Sequence, residues 1–400
     1  MEHLRIQPVL ATALPEVARF LHRQVRDMNE GSAVPANVHG DASNIELRLR
    51  WLLLESPLAN DSLPHGFCIR DDSGTIRGLT LGFPTAFLAG DQRLLGRCCG
   101  SLFVEPQAQT MGFYLFKKEV SLPGRSLVFC TSCNANSAKL WQLEGCAVPN
   151  SDLEYIFPLR LDALVPALMA ERTGSGAAAA MARMLGWCAN PILQLLGRHS
   201  AHLTIEPCRD WEKLSELSRR HRTKDFITGD RTPEFLEWRY GRSSDPHPAG
   251  VYLFRDKRGN EGWFSLGNAI RGRQGQVQGA VLLDAVWPLD KMSFREIFPG
   301  ILQMVDGNAD VLSLLPRAAS DYGQGSRWLI RRRRAAPNAF VVNRGGNARY
   351  TAAVLDLVCA DGDSALPFAP VLHSAATETT LSQSPVGGLT NDCPAQANPA

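Results

Sequence analysis

A glycine-containing turn after an apolar run is the part of the sequence best suited to hold a phosphorylated ligand. The run Ser-Leu-Phe-Val-Glu ends at Glu105, and the following turn contains Gln107, Gln109, Thr110 and Gly112. Apolar residues at helical spacing come next, so the turn is predicted to open a helix. The first N–H groups of a helix lack partners within it and lie at the positive end of its dipole. A phosphate or pyrophosphate suits such a turn.

A second group with chemical potential is the sequence Trp238, Arg239 and Tyr240, which closes a predicted helix. A planar cation between two aromatic rings could stack on a sugar or bind a carboxylate or phosphate. The alternative is that both rings pack inside while Arg239 bonds the last carbonyls of the helix. The basic run Arg331–Arg334 is open to similar alternatives, an anionic ligand or a solvated surface.

The cysteines do not predict a metal site. Cys130 and Cys133 form a lone CxxC pair, without a second pair or histidines at ligand spacing. Cys98 and Cys99 are predicted to be core residues, since no activating base lies near them in the sequence. The N-terminus shows no charged-then-apolar secretion signal. The prediction is therefore a cytoplasmic protein whose thiols are reduced.

The composition is that of a globular protein with two cores. Four hundred residues exceed one ordinary domain, and 44% hydrophobic with 20% charged residues suffices for two. The formal net charge of +2 argues against a protein that holds bulk nucleic acid. The apolar stretch 174–197 has the length of a membrane span, but Arg183 and the pair Asn190 and Pro191 are expected to interrupt it. We therefore predict no stable membrane span, with a membrane-surface segment as a secondary alternative.

The order of predicted elements repeats along the chain. Residues 1–162 give two helices, three strands of antiparallel type, then helix, strand, helix and a closing strand at Tyr155–Leu161. Residues 163–200 are predicted as a helical linker, and residues 201–365 repeat much of the first order. The tail 366–400 is poor in charged and large apolar residues, so it is predicted to be disordered. The predicted fold class is α/β of the α+β kind: two units, each a mixed, mostly antiparallel sheet flanked by helices.

Two motifs in the first unit resemble those of the GNAT acyltransferase superfamily, whose members move an acyl group from a coenzyme A thioester to an amine. The first family motif, Gln/Arg-x-x-Gly-x-Gly/Ala at a helix start, matches at Gln109 and Gly112, and departs at Tyr114. The spacing of the second motif fits Asn134, Ser137, Trp141, Gly145 and Cys146, but Trp141 stands in place of the family's tyrosine and Cys146 in place of its phenylalanine. The second unit resembles the family in element order alone, and the tandem form is similar to polysaccharide-associated GNAT-like proteins.

The resemblance implies a role for each motif residue. Phe103 and Val104 would offer backbone groups to the pantetheine arm, and Asn134 would hold the pantetheine or a nearby carbonyl. Backbone donors to the pyrophosphate would come from Gln109, Thr110, Met111, Gly112 and Phe113. An amine must lose a proton before it attacks, so Glu105 is the first candidate for the general base, with a solvated helix cap as its alternative. Ser101 is a weaker candidate that would orient a water molecule.

The implied activity is acyl transfer from acetyl-CoA or another acyl-CoA to an amine. An amino sugar or a polysaccharide precursor is the acceptor that the resemblance suggests. Trp238, Arg239 and Tyr240 would then contact the acceptor. A non-catalytic binding or scaffold protein with a decayed cofactor loop is the main alternative, favoured by Tyr114, Trp141 and Cys146. An aminoacyl or peptidyl transferase that uses charged tRNA is a third, against which the low net charge argues.

Overall fold

The computed structural model describes residues 3–29, 41–60, 62–173, 176–197, 202–241, 249–271, 277–305, 307, 309–317, 322, 329–334, 336–343 and 355–362. The predicted tail 366–400 lies outside the described residues. The strands are β1 (Arg5–Pro8), β2 (Gly66–Arg70), β3 (Ile76–Ala89), β4 (Gln92–Val104), β5 (Leu127–Cys130), β6 (Cys146–Ala147), β7 (Leu153–Pro158), β8 (Leu203–Pro207), β9 (Ile227–Gly229), β10 (Gly250–Asp256), β11 (Glu261–Arg271), β12 (Val277–Val286), β13 (Val311–Leu314), β14 (Ile330–Arg333), β15 (Phe340–Asn343) and β16 (Leu355–Asp356).

The helices are α1 (Leu14–Asn29), α2 (Ala42–Leu54), α3 (Gly112–Val120), α4 (Ala135–Glu144), α5 (Leu161–Thr173), α6 (Gly176–Gly197), α7 (Trp211–Arg220), α8 (Pro233–Leu236) and α9 (Phe294–Met304). A 3-10 helix, Pro106–Met111, precedes α3, and a second one spans Cys359–Asp361. A π-helical turn, Glu237–Gly241, extends α8. Thr232 caps α8 through its side chain, and Pro233 is its first residue.

Among the described residues, nine strands form the first sheet and seven form the second. The first sheet has the order β1-β2-β3-β4-β5-β15-β6, and β9 pairs with both β3 and β16. The second has the order β14-β7-β13-β12-β11-β10-β8. The pairs β4–β5 and β12–β13 are parallel, as is β9–β16, and the other pairs are antiparallel. The predicted fold class, two mostly antiparallel sheets flanked by helices, is confirmed.

The two sheets exchange strands. β15, from the second half of the chain, lies between β5 and β6 of the first sheet, whereas β7 lies between β13 and β14 of the second. The prediction that Tyr155–Leu161 closes the first unit is therefore wrong, because this strand pairs with β13 and its Tyr155 and Phe157 pack in the second core. Residue alternation specifies a strand and its faces, but not its partner. The boundaries at 162 and 201 stay predictions.

One hydrophobic core joins the two halves of the chain. Phe20 and Trp51 from the first helices pack in the same cluster as Phe129 of β5, Leu236 of α8 and Trp263 of β11. A second cluster lies between the second sheet and α9. Because the largest cluster draws on both sheets, burial of apolar surface holds the two sheets together.

The predicted linker consists of the paired helices α5 and α6. Gly186 lies against the backbone of Leu161, where an added Cβ would come within 2.5 Å of the Leu161 carbonyl carbon. The expected interruption at Asn190 and Pro191 is wrong: α6 continues through both residues. Asn190 instead ties the helices together, accepting from the Leu161 N–H at 2.7 Å and donating to Asp162 at 2.5 Å. None of the helices in the described ranges is long and apolar enough to cross a bilayer.

Candidate active site

The parallel pairing between β4 and β5 stops before β4 ends. Their parallel pairing covers Gly96–Cys98 and Leu127–Phe129, yet β4 continues for six more residues to Val104. β4 is irregular at the same place, since its register with β3 shifts between Phe103 and Gly100. Ser101 lies in this bulge with a φ of 54°, a conformation that non-glycine residues rarely adopt. β5 ends at Cys130, so β4 continues past it, and we call the space beside β4 residues 99–104 the candidate cleft.

The predicted phosphate-binding turn lies at the end of this cleft. The 3-10 helix follows β4 directly, and α3 continues from it at Gly112. Gln109, Thr110 and Phe113 are exposed, and Met111 is half-buried. Tyr114, which departs from the family motif, is 62% exposed, so its ring points to solvent and does not fill the core.

Gly112 is buried against the end of β4. An added Cβ would lie 3.4 Å from Cγ2 of Val104, an ordinary van der Waals contact. The site therefore has room for a methyl group but not for a large side chain. The structure thus brings the predicted residues Ser101, Phe103, Val104 and Gly112 to one place, and their ligand contacts stay predictions.

Glu105, the predicted base, is held by four side chains. Arg23 and Gln24 donate to Oε1 at 3.1 and 3.3 Å, while Arg77 and Gln107 donate to Oε2 at 3.1 and 2.6 Å. These contacts favour a role in joining α1, β3 and the end of β4, and a role in proton removal stays a prediction.

The ion-pair network continues from Glu105 to the hairpin between β2 and β3. Arg77 also donates to Asp71 at 2.7 Å, and Asp71 accepts further bonds from the Ser73 hydroxyl and from the Thr75 N–H. The Ser73 bond, followed by the Arg77 guanidinium, lowers the pKa of Asp71 to about 2. Direct donors thus hold Asp71 in the charged form.

Asn134 directly precedes α4, and Trp141 lies within it. The Asn134 side chain accepts from the N–H groups of Asn136 and Ser137 at 3.0 and 2.9 Å, so it caps α4. Trp141 is buried and meets Phe116 of α3 edge-on, with 5.2 Å between ring centroids. The indole therefore fills the core between the helices, and indole N–H is not a useful acid. A pantetheine contact from Asn134 stays a prediction.

The predicted acceptor residues Trp238, Arg239 and Tyr240 are all buried. The indole N–H of Trp238 donates to the Trp51 carbonyl at 3.0 Å, and the indole N–H of Trp51 donates to the Trp238 carbonyl at 3.0 Å. Arg239 lies over both indole rings and donates to the Gly362 carbonyl at 2.7 Å. Because burial hides the three side chains from a ligand, their contacts favour structural joining of the two halves, and acceptor binding stays a prediction.

Sequence reasoning missed a buried group of arginines and aspartates between the sheets. Arg231 bonds Asp284 at 2.5 Å and Asp361 at 2.7 Å, and Arg317 bonds Asp356 at 2.6 Å. Burial raises the pKa of Asp284, against the opposing effect of Arg231. No local signal points to these pairs, since Arg231 and Asp284 are 53 positions apart and Arg317 and Asp356 are 39 apart.

A cavity of about 110 Å³ borders this group. Its lining includes hydroxyl, basic and acidic side chains, among them Ser215, Thr223, Thr228, Asp230, Arg231 and Asp284. Strand β3 borders both the cavity and the cleft. Its Phe87 pairs with Gly229, which lines the cavity, and its Phe83 pairs with Cys98, after which the β4–β5 pairing ends. Four strand residues span about 13 Å, so the two openings are neighbours.

The segment Leu355–Gly362 passes between these openings. Asp356 and Val358 line the cavity on one side. On the other side Gly362 touches Thr131, which follows β5, and an added Cβ would come within 1.8 Å of the Thr131 hydroxyl. Only glycine fits this approach of backbone to side chain. Within the described ranges, no group of three or more His, Cys, Asp and Glu side chains could hold a metal ion.

Most of the chain is similar in structure to a solved N-myristoyltransferase. Saccharomyces cerevisiae N-myristoyltransferase with bound myristoyl-CoA matches with a TM-score of 0.53 and 12% identity, over 90% of this chain and 83% of that chain. A structure of the yeast enzyme with myristoyl-CoA and inhibitors gives a TM-score of 0.51 and 12% identity, over 85% and 80%. No family model matches the sequence, and no curated protein is significantly similar to it.

These likenesses establish the fold alone. The chain has a GNAT-type fold of mixed, mostly antiparallel sheets flanked by helices. The fold that the two motifs of the first unit implied is confirmed.

Proposed function

We propose that the protein is an N-acyltransferase that moves an acyl group from acyl-CoA to an amine. The observation that carries the proposal is the separation of β4 from β5 after Cys98, directly before the turn that opens α3. Free edges of separated parallel strands offer amide groups to an extended chain, and a helix start offers them to phosphates. The tandem fold and the motif residues Gln109 and Gly112 support the same assignment.

In this proposal the cofactor runs along the end of β4. The pantetheine arm lies beside the backbone of Phe103 and Val104, and the pyrophosphate lies at the turn from Gln109 to Phe113. The exposed side chains of that turn leave it accessible. Acetyl-CoA and longer acyl-CoAs are both candidates, and the binding experiment below separates them.

The acceptor in this proposal enters the cavity between the sheets. An amine with several hydroxyl groups, such as an amino sugar of a polysaccharide precursor, suits a lining of serine, threonine and aspartate side chains. The roughly 13 Å along β3 that separates the cavity from the start of the cleft is short enough for an acceptor and a thioester to meet.

The reaction joins these two ligands directly. The amine, once deprotonated, attacks the thioester carbonyl, the carbon–sulfur bond breaks, and coenzyme A leaves as a thiolate that takes up a proton. The position of the family's tyrosine acid is occupied by Trp141, so that proton comes from another group or from water. Most of the rate enhancement would come from holding both reactants together.

Calorimetry with purified protein tests the cofactor site. We expect binding of at least one acyl-CoA from acetyl to long-chain, and loss of that binding in Gly112→Trp, whose side chain has no room beside Val104. Gly112→Ala is the matched control, because its added Cβ makes only an ordinary contact with Val104. If no acyl-CoA binds the parent protein, the proposal is wrong; if Gly112→Trp binds as tightly as the parent, the site lies elsewhere.

A non-catalytic GNAT-type binding protein is the second candidate. It is favoured by the buried Trp141 and by the four donors that hold Glu105. The two candidates differ in turnover: with a panel of hexosamines and other amines, release of free coenzyme A thiol above the uncatalysed rate supports the enzyme. Tight acyl-CoA binding without thiol release from any amine supports the binding protein.

A further inference from the structure

Two cysteines at the end of β5 lie unusually close together. The Sγ atoms of Cys130 and Cys133 are 3.0 Å apart. Cys130 is buried and Cys133 is partly exposed, so one thiol of the pair can be reached from solvent. A disulfide requires the sulfurs to approach to about 2.05 Å, which small rotations of the two side chains can supply.

The backbone holds both residues in place for such a bond. Cys130 pairs with Phe340 of β15, and the Cys133 N–H donates to the Asn338 carbonyl at 2.9 Å. Both thiols therefore start from positions fixed against the same neighbouring segment. This arrangement lowers the entropy that the pair would lose when the bond forms.

We propose that Cys130 and Cys133 form a reversible thiol–disulfide site that reacts with small-molecule disulfides. The Cys133 thiolate attacks the external disulfide, forms a mixed disulfide and releases one small thiolate. The Cys130 sulfur, losing its proton, then attacks the Cys133 sulfur and releases the second. Two protein thiols are oxidised, one external disulfide is reduced to two thiols, and both protons are taken up by those thiols.

The bond would act on the turn that borders the candidate cleft. Thr131, within the pair, lies against Gly362, and Asn134, just after it, caps α4. Disulfide formation would restrict the conformation of this turn whether or not a ligand is bound. The proposal therefore does not depend on the acyltransferase assignment, although it places the modification beside that site.

The experiment uses the full-length protein in glutathione buffers of increasing oxidised fraction, followed by alkylation, trypsin and mass spectrometry. Cleavage after Arg125 and Lys139 leaves Cys130 and Cys133 in one peptide, residues 126–139. We expect this peptide to lose two hydrogens and to escape alkylation as the buffer becomes oxidising. Treatment with a reductant should restore two alkylation sites.

Two controls keep the result specific. Exposed Cys146 should take up glutathione in the same samples, which shows that the oxidant reacted. Cys133→Ser should leave Cys130 as a thiol that is alkylated after denaturation. Alkylation of both thiols at every glutathione ratio, or a lasting glutathione adduct on Cys133 beside a free Cys130, would overturn the proposal.

Discussion

The two sheets each contain a pair of parallel strands that separates, but the two gaps have different contents. β4 leaves β5 after Cys98, and β12 leaves β13 after Val281. In each case a register irregularity follows on the longer strand, at Ser101 in β4 and at Leu283 in β12. In the second gap Arg317 reaches from the end of β13 to the Ala285 carbonyl of β12 at 2.5 Å. The second gap is therefore bridged by a side chain, whereas the first is the one that we propose as the cofactor cleft.

The charges around the two gaps differ in number and exposure. Beside the first gap Arg97 of β4 and Glu119 of α3 form one buried pair at 2.5 Å, while Asp71 and Glu105 pair with the partly exposed Arg77. Around the second gap Arg231, Asp284 and Asp361 form a larger buried group. A buried ion pair loses hydration on both partners, so removal of one partner leaves a costly isolated charge. Partly exposed pairs contribute little by comparison. The buried group at the second gap thus joins the two sheets.

The variant Arg231→Met has the largest expected effect. This change leaves Asp284 and Asp361 buried without their cation, and we expect the free energy of unfolding to fall by about 3–5 kcal/mol. Urea unfolding at neutral pH measures it. Arg93→Met is the matched control, since Arg93 is 50% exposed in its pair with Asp230. We expect the control to cost about 0–1 kcal/mol, and an equal loss in both variants would contradict the comparison.

A smaller effect is expected where the C-terminal segment meets the first gap. Gly362→Ala places a Cβ within 1.8 Å of the Thr131 hydroxyl, so the backbone must shift. We expect the free energy of unfolding to fall by about 1–3 kcal/mol, the usual cost of overpacking. In a Thr131→Gly background the same change should cost much less, because the opposing side chain is gone. Urea unfolding of the parent, the two single variants and the double variant gives a double-mutant cycle. If this cycle shows no coupling free energy between the two sites, the contact is not tight.

The irregularity in β4 gives the next test. Ser101 has a φ of 54°, which a β-branched residue adopts poorly. We expect Ser101→Val to lower the free energy of unfolding by about 1–2 kcal/mol and to weaken acyl-CoA binding, because β4 would straighten toward β5. Ser101→Gly, which accepts this φ, should stay within about 1 kcal/mol of the parent. A valine variant as stable as the glycine variant would mean that the bulge does not control the cleft.

Local patterns in the sequence were enough for the elements of the first gap but not for those of the second. The run that ends at Glu105, the turn and the spacing of α3 are contiguous, so residue order alone places them together. Arg231, Asp284 and Arg317 meet through strand pairing between distant segments, and no short pattern encodes that meeting. The strand β7 shows the same limit: its apolar alternation predicts a strand, but its place beside β13 follows from competition among all strands for partners.

The last and smallest test concerns the charged network beside the first gap. The hydrogen bonds to Asp71 lower its pKa from 3.8 to about 2, so the folded state holds this carboxylate ionised more firmly than the unfolded chain does. The stability that Asp71 contributes is therefore fully present above about pH 4 and is lost as the pH falls toward 2. We expect the difference in unfolding free energy between the parent and Asp71→Asn to shrink over that range.

A carboxyl titration by NMR should give a low midpoint for Asp71 and a higher one in Ser73→Ala, which removes the strongest donor but keeps Arg77. Burial acts in the opposite direction on Asp284, whose pKa it raises. An Asp71 midpoint near its ordinary value would remove this contrast and leave the two gaps distinguished by geometry alone.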